Sequence, residues 1–370
     1  MRHVTSIGLD VHARSITGSA FNPLTGEIVT QKFRYNAAEL AEWISTFESP
    51  KVVYESGVTG FHLARELNKL GIDCVICAIS KIQRPIADAR RKNDANDSVF
   101  LARLLATNNI VEVFVPDEET EAAHDLVRAH NDIRQDLLRA RQRLNMFLMR
   151  HGYVWDNKKS DGSPRSSWTN LHWAWIRSIQ FDKEADMDSF ALYISEVRHL
   201  EQHKKQLERF IYREAQKDRW RLRVDSLRCL KGIEVVTAFT LVVEACVFSR
   251  FESAGAYASW LGLTPSEHSS GEKMFKGSIT KCGNSLCRRL LIEAAWHYAR
   301  GSDKRKQAPT SEVPLSIENR AARGIKRLIK RRKDLAAKGK RPTVTNVAIA
   351  RELACFVWAI GCEAEGTLVA

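Results

Sequence analysis

His3-Val4-Thr5-Ser6-Ile7-Gly8-Leu9-Asp10 decides how the chain is read: residues 3–9 alternate into an apolar strand, and that strand ends on a carboxylate, Asp10. Working outward, residues 14–21 and 27–34 read as two further strands, separated by the turn Asn22-Pro23-Leu24-Thr25-Gly26-Glu27. Residues 37–48 carry helical spacing in Leu40, Trp43 and Ile44. Lys51-Val52-Val53-Tyr54-Glu55-Ser56 then reads as a strand, Thr59–Leu70 as a helix and Cys74–Ile79 as a strand.

A three-strand meander followed by helix, strand, helix and strand is the element order of the α/β ribonuclease-H-like fold, which includes RuvC-like domains. Such a domain is predicted over residues 1–115. A polar, basic stretch follows at 83–97, with Arg84, Arg90, Arg91 and Lys92, and then a short helix over Asp97–Ala106. Charged sequence with apolar residues at helical spacing (Leu126, Ile133, Leu137, Leu144, Phe147, Leu148) occupies 118–151, and the pattern returns at 187–222. With a connector rich in tryptophan (Trp155, Trp168, Trp173, Trp175), these predict a helical, coiled-coil-like arm over 116–225. The tryptophans suit either stacking on unpaired bases or packing of the hairpin core.

Residues 226–370 read as a mainly α third region. Leu227–Ala238 resembles a helix-hairpin-helix, whose glycine turn aims backbone N–H groups at phosphates. Ala299–Pro342 is basic and expected to be partly exposed, with Arg323, Lys326, Arg327, Lys330, Arg331, Arg332 and Lys333; Asn346–Ile360 reads as an apolar closing helix.

Composition narrows the function. A net charge of +13 and a pI near 9.4 over 370 residues point to a polyanionic partner. No apolar run resembles a secretory signal or a membrane span, so a soluble, cytoplasmic protein is expected. The eight cysteines are scattered, and the lone pair Cys74 and Cys77 lies in an apolar strand without the second pair a zinc knuckle needs. Reduced core thiols are expected.

Four acids form the candidate chemistry. Asp10 and Glu55 end the first and fourth strands, which are neighbours in a ribonuclease-H-like sheet, and Asp94 and Asp97 share one helix face at i and i+3. Each alone is an ordinary turn or cap residue. Together, four carboxylates hold hard divalent cations, Mg2+ (or Mn2+), and two such ions activate a nucleophile and stabilise a leaving oxygen at a phosphodiester. His12, two residues after Asp10, is expected as a polar neighbour or a surface residue rather than a ligand.

Several segments together resemble the "one-ten" family of insertion-sequence transposases. They are Ile7-Gly8-Leu9-Asp10-Val11, Tyr54-Glu55-Ser56-Gly57-Val58-Thr59-Gly60 and Lys92-Asn93-Asp94-Ala95-Asn96-Asp97. Further along come Gly262-Leu263-Thr264-Pro265-Ser266-Glu267-His268-Ser269-Ser270-Gly271-Glu272-Lys273, Gly277-Ser278-Ile279-Thr280-Lys281-Cys282-Gly283-Asn284 and Arg289-Leu290-Leu291-Ile292-Glu293-Ala294-Ala295-Trp296. The similarity spans nearly the whole chain. It departs at Asn93, where threonine is usual, and at Cys282, where a small or basic residue is usual.

The resemblance implies a recombinase whose four acids are Asp10, Glu55, Asp94 and Asp97 and whose nucleophilic serine is Ser270 or Ser269. It implies a covalent protein–DNA intermediate, double-stranded element ends and target as substrates, and a structured guide RNA. Joining two duplexes implies a homodimer or homotetramer. Serine is a poor nucleophile unaided, and the stretch holds no base but His268, so the carboxylate metal site would have to activate it. Lys231, Lys273, Lys276, Lys281, Arg288, Arg289, Lys326 and Arg327 are the candidate nucleic-acid contacts.

Other readings fit less well. A structure-specific junction nuclease has little use for the long second domain. A sugar-kinase-like ATPase needs more glycine-rich phosphate loops than Gly57 and Gly60 provide. A catalytically silent nucleic-acid-binding protein has no use for crowded negative charge.

Overall fold

β1 (Ser6–Val11) turns Ile7 and Leu9 to one side and Gly8 and Asp10 to the other, and the N-terminal unit is built on that division. The computed structural model describes residues 4–57, 59–78, 94–270, 273–299 and 306–369, with the side chains of 268–276 and 367–369 outside that description. The basic stretch bearing Arg84, Arg90, Arg91 and Lys92 therefore lies outside the described residues, as do the side chains of Ser269, Ser270, Lys273 and Lys276. Two compact units divide the chain, Met1–Asp117 and Glu118–Ala370.

In the first unit β2 (Ser15–Phe21) and β3 (Ile28–Arg34) pair antiparallel beside β1, while β4 (Lys51–Glu55) and β5 (Asp73–Cys77) pair parallel on its other side. The sheet order is β3-β2-β1-β4-β5. β1 runs one residue past Asp10, because Asp10 and Val11 still pair with Thr17 and Ile16. Helices α1 (Ala37–Ser45) and α2 (His62–Lys69) bury Leu40, Ile44, Leu63 and Leu67 against Ile7, Leu9, Val52, Tyr54 and Ile76. Asn36 starts α1 by accepting the Ala38 and Glu39 N–H groups on its side chain. On the opposite face α3 (Asp94–Ala106) packs Leu101 and Leu105 against Val53 and Cys77.

The second unit starts with a hairpin of long helices, α4 (Glu118–Arg150) and α6 (Glu184–Ala215), with α5 (Asn170–Ser178) between them. Leu137, Leu144 and Phe147 meet Trp173, Ile176, Phe190 and Val197 in a core of their own. Trp155 and Trp168 pack their rings on His172 within that cluster, so the aromatic connector serves the hairpin interior.

The helical pattern predicted over 187–222 breaks after Ala215 and resumes as α7 (Asp218–Arg228). The bend lets Ile211 and Ala215, before it, and Trp220 and Val224, after it, enter one core. That core also takes in Ala123 and Val127 from the root of α4. It is completed by α8 (Val235–Ala245), α9 (Ala254–Trp260), α10 (Ser285–Ala295), α11 (Leu315–Ala337) and α12 (Pro342–Val369). Apolar Ile317, Ala321, Ile325 and Leu328 recur along α11, so the basic segment is an amphipathic helix with its cations outward. The closing helix starts earlier and ends later than its apolar residues predicted.

β6 (Pro265–Ser270) and β7 (Lys273–Ile279) form a separate two-stranded hairpin. All eight cysteines are free, and Cys74 and Cys77 are buried in β5. Among the described residues no helix is long and apolar enough to cross a membrane.

Candidate active site

Strand register assembles the acidic cluster. Lys32 of β3 pairs with Thr17 of β2, and Thr17 pairs with Asp10 of β1. Leu9 pairs with Tyr54, so the next rung sets Asp10 beside Glu55, which itself pairs with Cys77. One row across five strands thus carries Lys32, Thr17, Asp10, Glu55 and Cys77. By the two-residue alternation it lies on the face that α3 covers.

α3 brings the other two acids. It starts at Asp94, three residues before the predicted start, so Asp94 and Asp97 both occupy its first turn. Negative charge is favoured there by the helix dipole. Gly8 lets the helix come this close: a Cβ at that position would lie 2.1 Å from the Ser98 carbonyl oxygen and 2.5 Å from the Ala102 nitrogen. A hydroxyl chain that starts in the buried Ser19–Ser98 pair ties the helix to the sheet, with Ser98 Oγ 2.7 Å from Ser19 Oγ and Ser19 Oγ 2.8 Å from Thr30 Oγ1.

Ligand atoms of Asp10, His12 and Asp94 all lie within 4.8 Å of one another. His12 Nε2 is 3.2 Å from Asp10 Oδ2 and 3.7 Å from Asp94 Oδ1, and Lys32 Nζ is 3.6 Å from Asp94 Oδ2. Burial is the main force raising the Asp10 pKa from its ordinary value. His12 opposes that rise, while the charges of Asp94 and Asp97 add to it. A divalent cation suits such a group, since oxygen donors crowded against their own repulsion are relieved by positive charge. His12 thus stands against the acids as a polar neighbour. Lys32 and Thr17 gave no local signal: only the register puts them in this row.

The Ser269–Ser270 segment ends β6, where Ser269 pairs with Met274 and Ser270 with Lys273. Below the hairpin its two flanking segments stay joined by Thr280 N–H to the Thr264 carbonyl at 2.9 Å, Lys281 N–H to the Gly262 carbonyl at 3.1 Å and Asn284 N–H to the Trp260 carbonyl at 3.0 Å. Gly283 makes the last crossing possible: its φ is +82°, and a Cβ there would lie 2.0 Å from the Trp260 carbonyl oxygen.

Comparison with known proteins gives the family. A DEDD-type IS110 family model described as "Transposase" matches residues 7–152, and a model described as "Transposase IS116/IS110/IS902 family" matches residues 224–309. The chain is 36% identical over 325 residues to "Putative transposase y4qE" of Sinorhizobium fredii, covering 87% of this chain and 77% of that one. It is 30% identical over 352 residues to "Transposase for insertion sequence element IS1533" of Leptospira borgpetersenii, covering 92% and 99%. The chain belongs to the IS116/IS110/IS902 family of transposases. It is therefore an enzyme of DNA transposition, and the DEDD-type match together with the Asp10, His12 and Asp94 cluster points to use of a divalent metal.

In the transposase, three of the predicted basic contacts are engaged by the chain itself. Arg288 donates to the Leu261 carbonyl at 2.8 Å and the Cys282 carbonyl at 3.3 Å, holding the hairpin base. Arg289 pairs with Glu293 at 2.8 Å, and Arg327 pairs with Glu352. Lys281 and Lys326 are exposed, while Lys231 is half-buried in the turn between α7 and α8.

Proposed function

We propose that this transposase cuts and exchanges DNA strands with two separate parts: a ribonuclease-H-like, RuvC-like carboxylate centre and a serine on the β6–β7 hairpin. Asp10, Glu55, Asp94 and Asp97 are the carboxylates, and they would hold Mg2+ or Mn2+. Ser270 or Ser269 is the nucleophile. The carrying observation is the row across the sheet, which puts Asp10 beside Glu55 on the face whose covering helix starts with Asp94 and Asp97.

When bound, the divalent ions supply positive charge that lets a nucleophile approach a phosphodiester and stabilises the departing oxygen. The chain's own residues do the rest. Glu55 and Asp97 would complete the oxygen donor set, and Gly8 and Ser98 hold α3 close against the sheet. The serine Oγ–P bond forms as one P–O bond of the DNA backbone breaks. The hydroxyl proton passes to a base, and the freed deoxyribose oxygen takes up a proton. The next strand's hydroxyl reverses the step, so the backbone bond energy is kept. This chemistry requires the serine to be delivered to the carboxylates, within a subunit or across subunits of a homodimer or homotetramer.

The turn between α7 and α8 serves in this reading as a helix-hairpin-helix phosphate contact, with Lys231, Lys281 and Lys326 as further contacts. A structured RNA specifying donor and target DNA, and a cytoplasmic location, complete the proposal. They rest on the family resemblance and the basic charge.

The deciding experiment incubates protein, co-expressed with its flanking non-coding DNA, with labelled element-junction DNA and Mg2+. A DNA-linked band on a denaturing gel is expected, lost when both serines are changed to alanine and lost in Asp10→Asn. Glu55→Gln is expected to slow cleavage by about a hundredfold or more. Unchanged cleavage in Glu55→Gln sinks the carboxylate centre. Nicked DNA without an adduct instead marks a nuclease that uses water, with the hairpin as a binding platform.

A further inference from the structure

The hairpin base is tied to a buried carboxylate that the chemistry above does not use. Glu244, at the end of α8, is only 5% exposed. Arg128 of α4 meets it with two hydrogen bonds, Nε to Oε1 at 2.9 Å and Nη2 to Oε2 at 3.2 Å. Oε2 also accepts from Asn284 Nδ2 at 2.7 Å. Asn284 is the residue at which the hairpin chain enters α10. Its Oδ1 accepts the Cys287 N–H at 2.9 Å, and its own N–H donates to the Trp260 carbonyl. Both polar atoms of the Asn284 side chain are thus directed, one into α10 and the other onto Glu244.

A buried carboxylate is costly unless its hydrogen bonds are complete, and completing them fixes the position of each partner. We propose that Arg128, Glu244 and Asn284 act as a positioning chain that holds the β6–β7 hairpin, and with it the candidate serine, in register with the arm helix α4. In this role the three act through the hairpin they orient. The assignment of the serine rests on the function proposed above, but the orientation of the hairpin does not.

The test exchanges donor and acceptor in the full-length protein. In Asn284→Asp the side chain still caps α10, but its second oxygen faces Glu244 and repels it. In the double variant Glu244→Gln with Asn284→Asp, the new amide donates to the new carboxylate while its carbonyl accepts from Arg128. Two readouts are taken: hydrogen exchange of peptides covering 265–279, and the rate of DNA-linked adduct formation with element-junction DNA and Mg2+.

Asn284→Asp is expected to speed hairpin exchange at least about tenfold and to slow adduct formation by about tenfold to a hundredfold, since small misplacements cost that much. The DNA concentration at half-maximal rate and the exchange of α8 and α12 should stay unchanged. The double variant should recover both hairpin readouts. Exchange and adduct rates like the wild type in Asn284→Asp, or losses that spread to α8 and α12 and resist rescue, overturn the proposal. If adduct persists after both serines are removed, the serine assignment fails instead, and a rescued hairpin exchange still supports the positioning chain.

Discussion

Asp10 is held in a place that disfavours its charge, and that conflict is measurable. Burial, Asp94 and Asp97 raise its folded pKa above the unfolded value, with His12 opposing them. By linkage, the contribution of Asp10 to the stability of the metal-free protein is most favourable below its unfolded pKa and is lost as pH rises through the interval up to the folded one. Asp10→Asn should therefore raise the unfolding temperature of the chelator-treated protein at neutral pH, with the gain vanishing in acid, while abolishing cleavage. Thermal scans across that range check it, and a variant less stable at neutral pH refutes it. Gly8 is the second informative position, because α3 lies where its side chain would be. Gly8→Ala should cost about 1–3 kcal/mol from overpacking. It should also weaken Mn2+ binding, read by titration calorimetry, because the helix carrying Asp94 and Asp97 must retreat.

Among the elements, the arm has its own core as well as a share in a larger one. Leu144 is fully buried among Leu137, Phe147, Trp173 and Phe190, far along α4 from the root that joins the C-terminal core. Leu144→Ala should cost about 2–5 kcal/mol from lost burial and the cavity left behind. The loss should appear in hydrogen exchange as early opening of the α4 peptides after Leu137 and the α6 peptides before Leu200, with α8 and α12 still protected. Uniform loss of protection would mean that the hairpin has no separate stability. α11 divides the same way at smaller scale, burying Ile317, Ile325 and Leu328 and leaving Lys326 and Lys330 in solvent.

For the whole molecule, several of the 57 lysines and arginines are already engaged by groups of the chain itself. Arg128, Arg288, Arg289 and Arg327 each satisfy a carboxylate or carbonyl of the chain itself. The salt dependence of DNA binding should therefore report far fewer phosphate contacts than the count of lysines and arginines implies. Lys326→Ala should lower the slope of log affinity against log salt by about one, whereas Arg288→Ala should leave the slope and damage the hairpin. Filter binding across a salt series separates them; equal slopes in Lys326→Ala and wild type would remove Lys326 from the interface.

Local pattern made much of this protein legible. The alternation of Ile7, Leu9, Val52 and Tyr54 marked strands because one sheet face must be buried, and the helical spacing of Leu137, Leu144 and Leu148 marked the arm for the same reason. The acids were nameable from their positions at strand and helix ends, and the family from its segments. Tertiary structure alone decided which residues share a site. Lys32 and Thr17 enter the acidic row through strand register, which no single strand specifies. Glu244 meets Arg128 across 116 positions and Asn284 across 40, where helix packing, not sequence period, sets the distance. Arg288, Arg289 and Arg327, named from sequence as nucleic-acid contacts, also hydrogen-bond to their own chain, which only the tertiary structure shows.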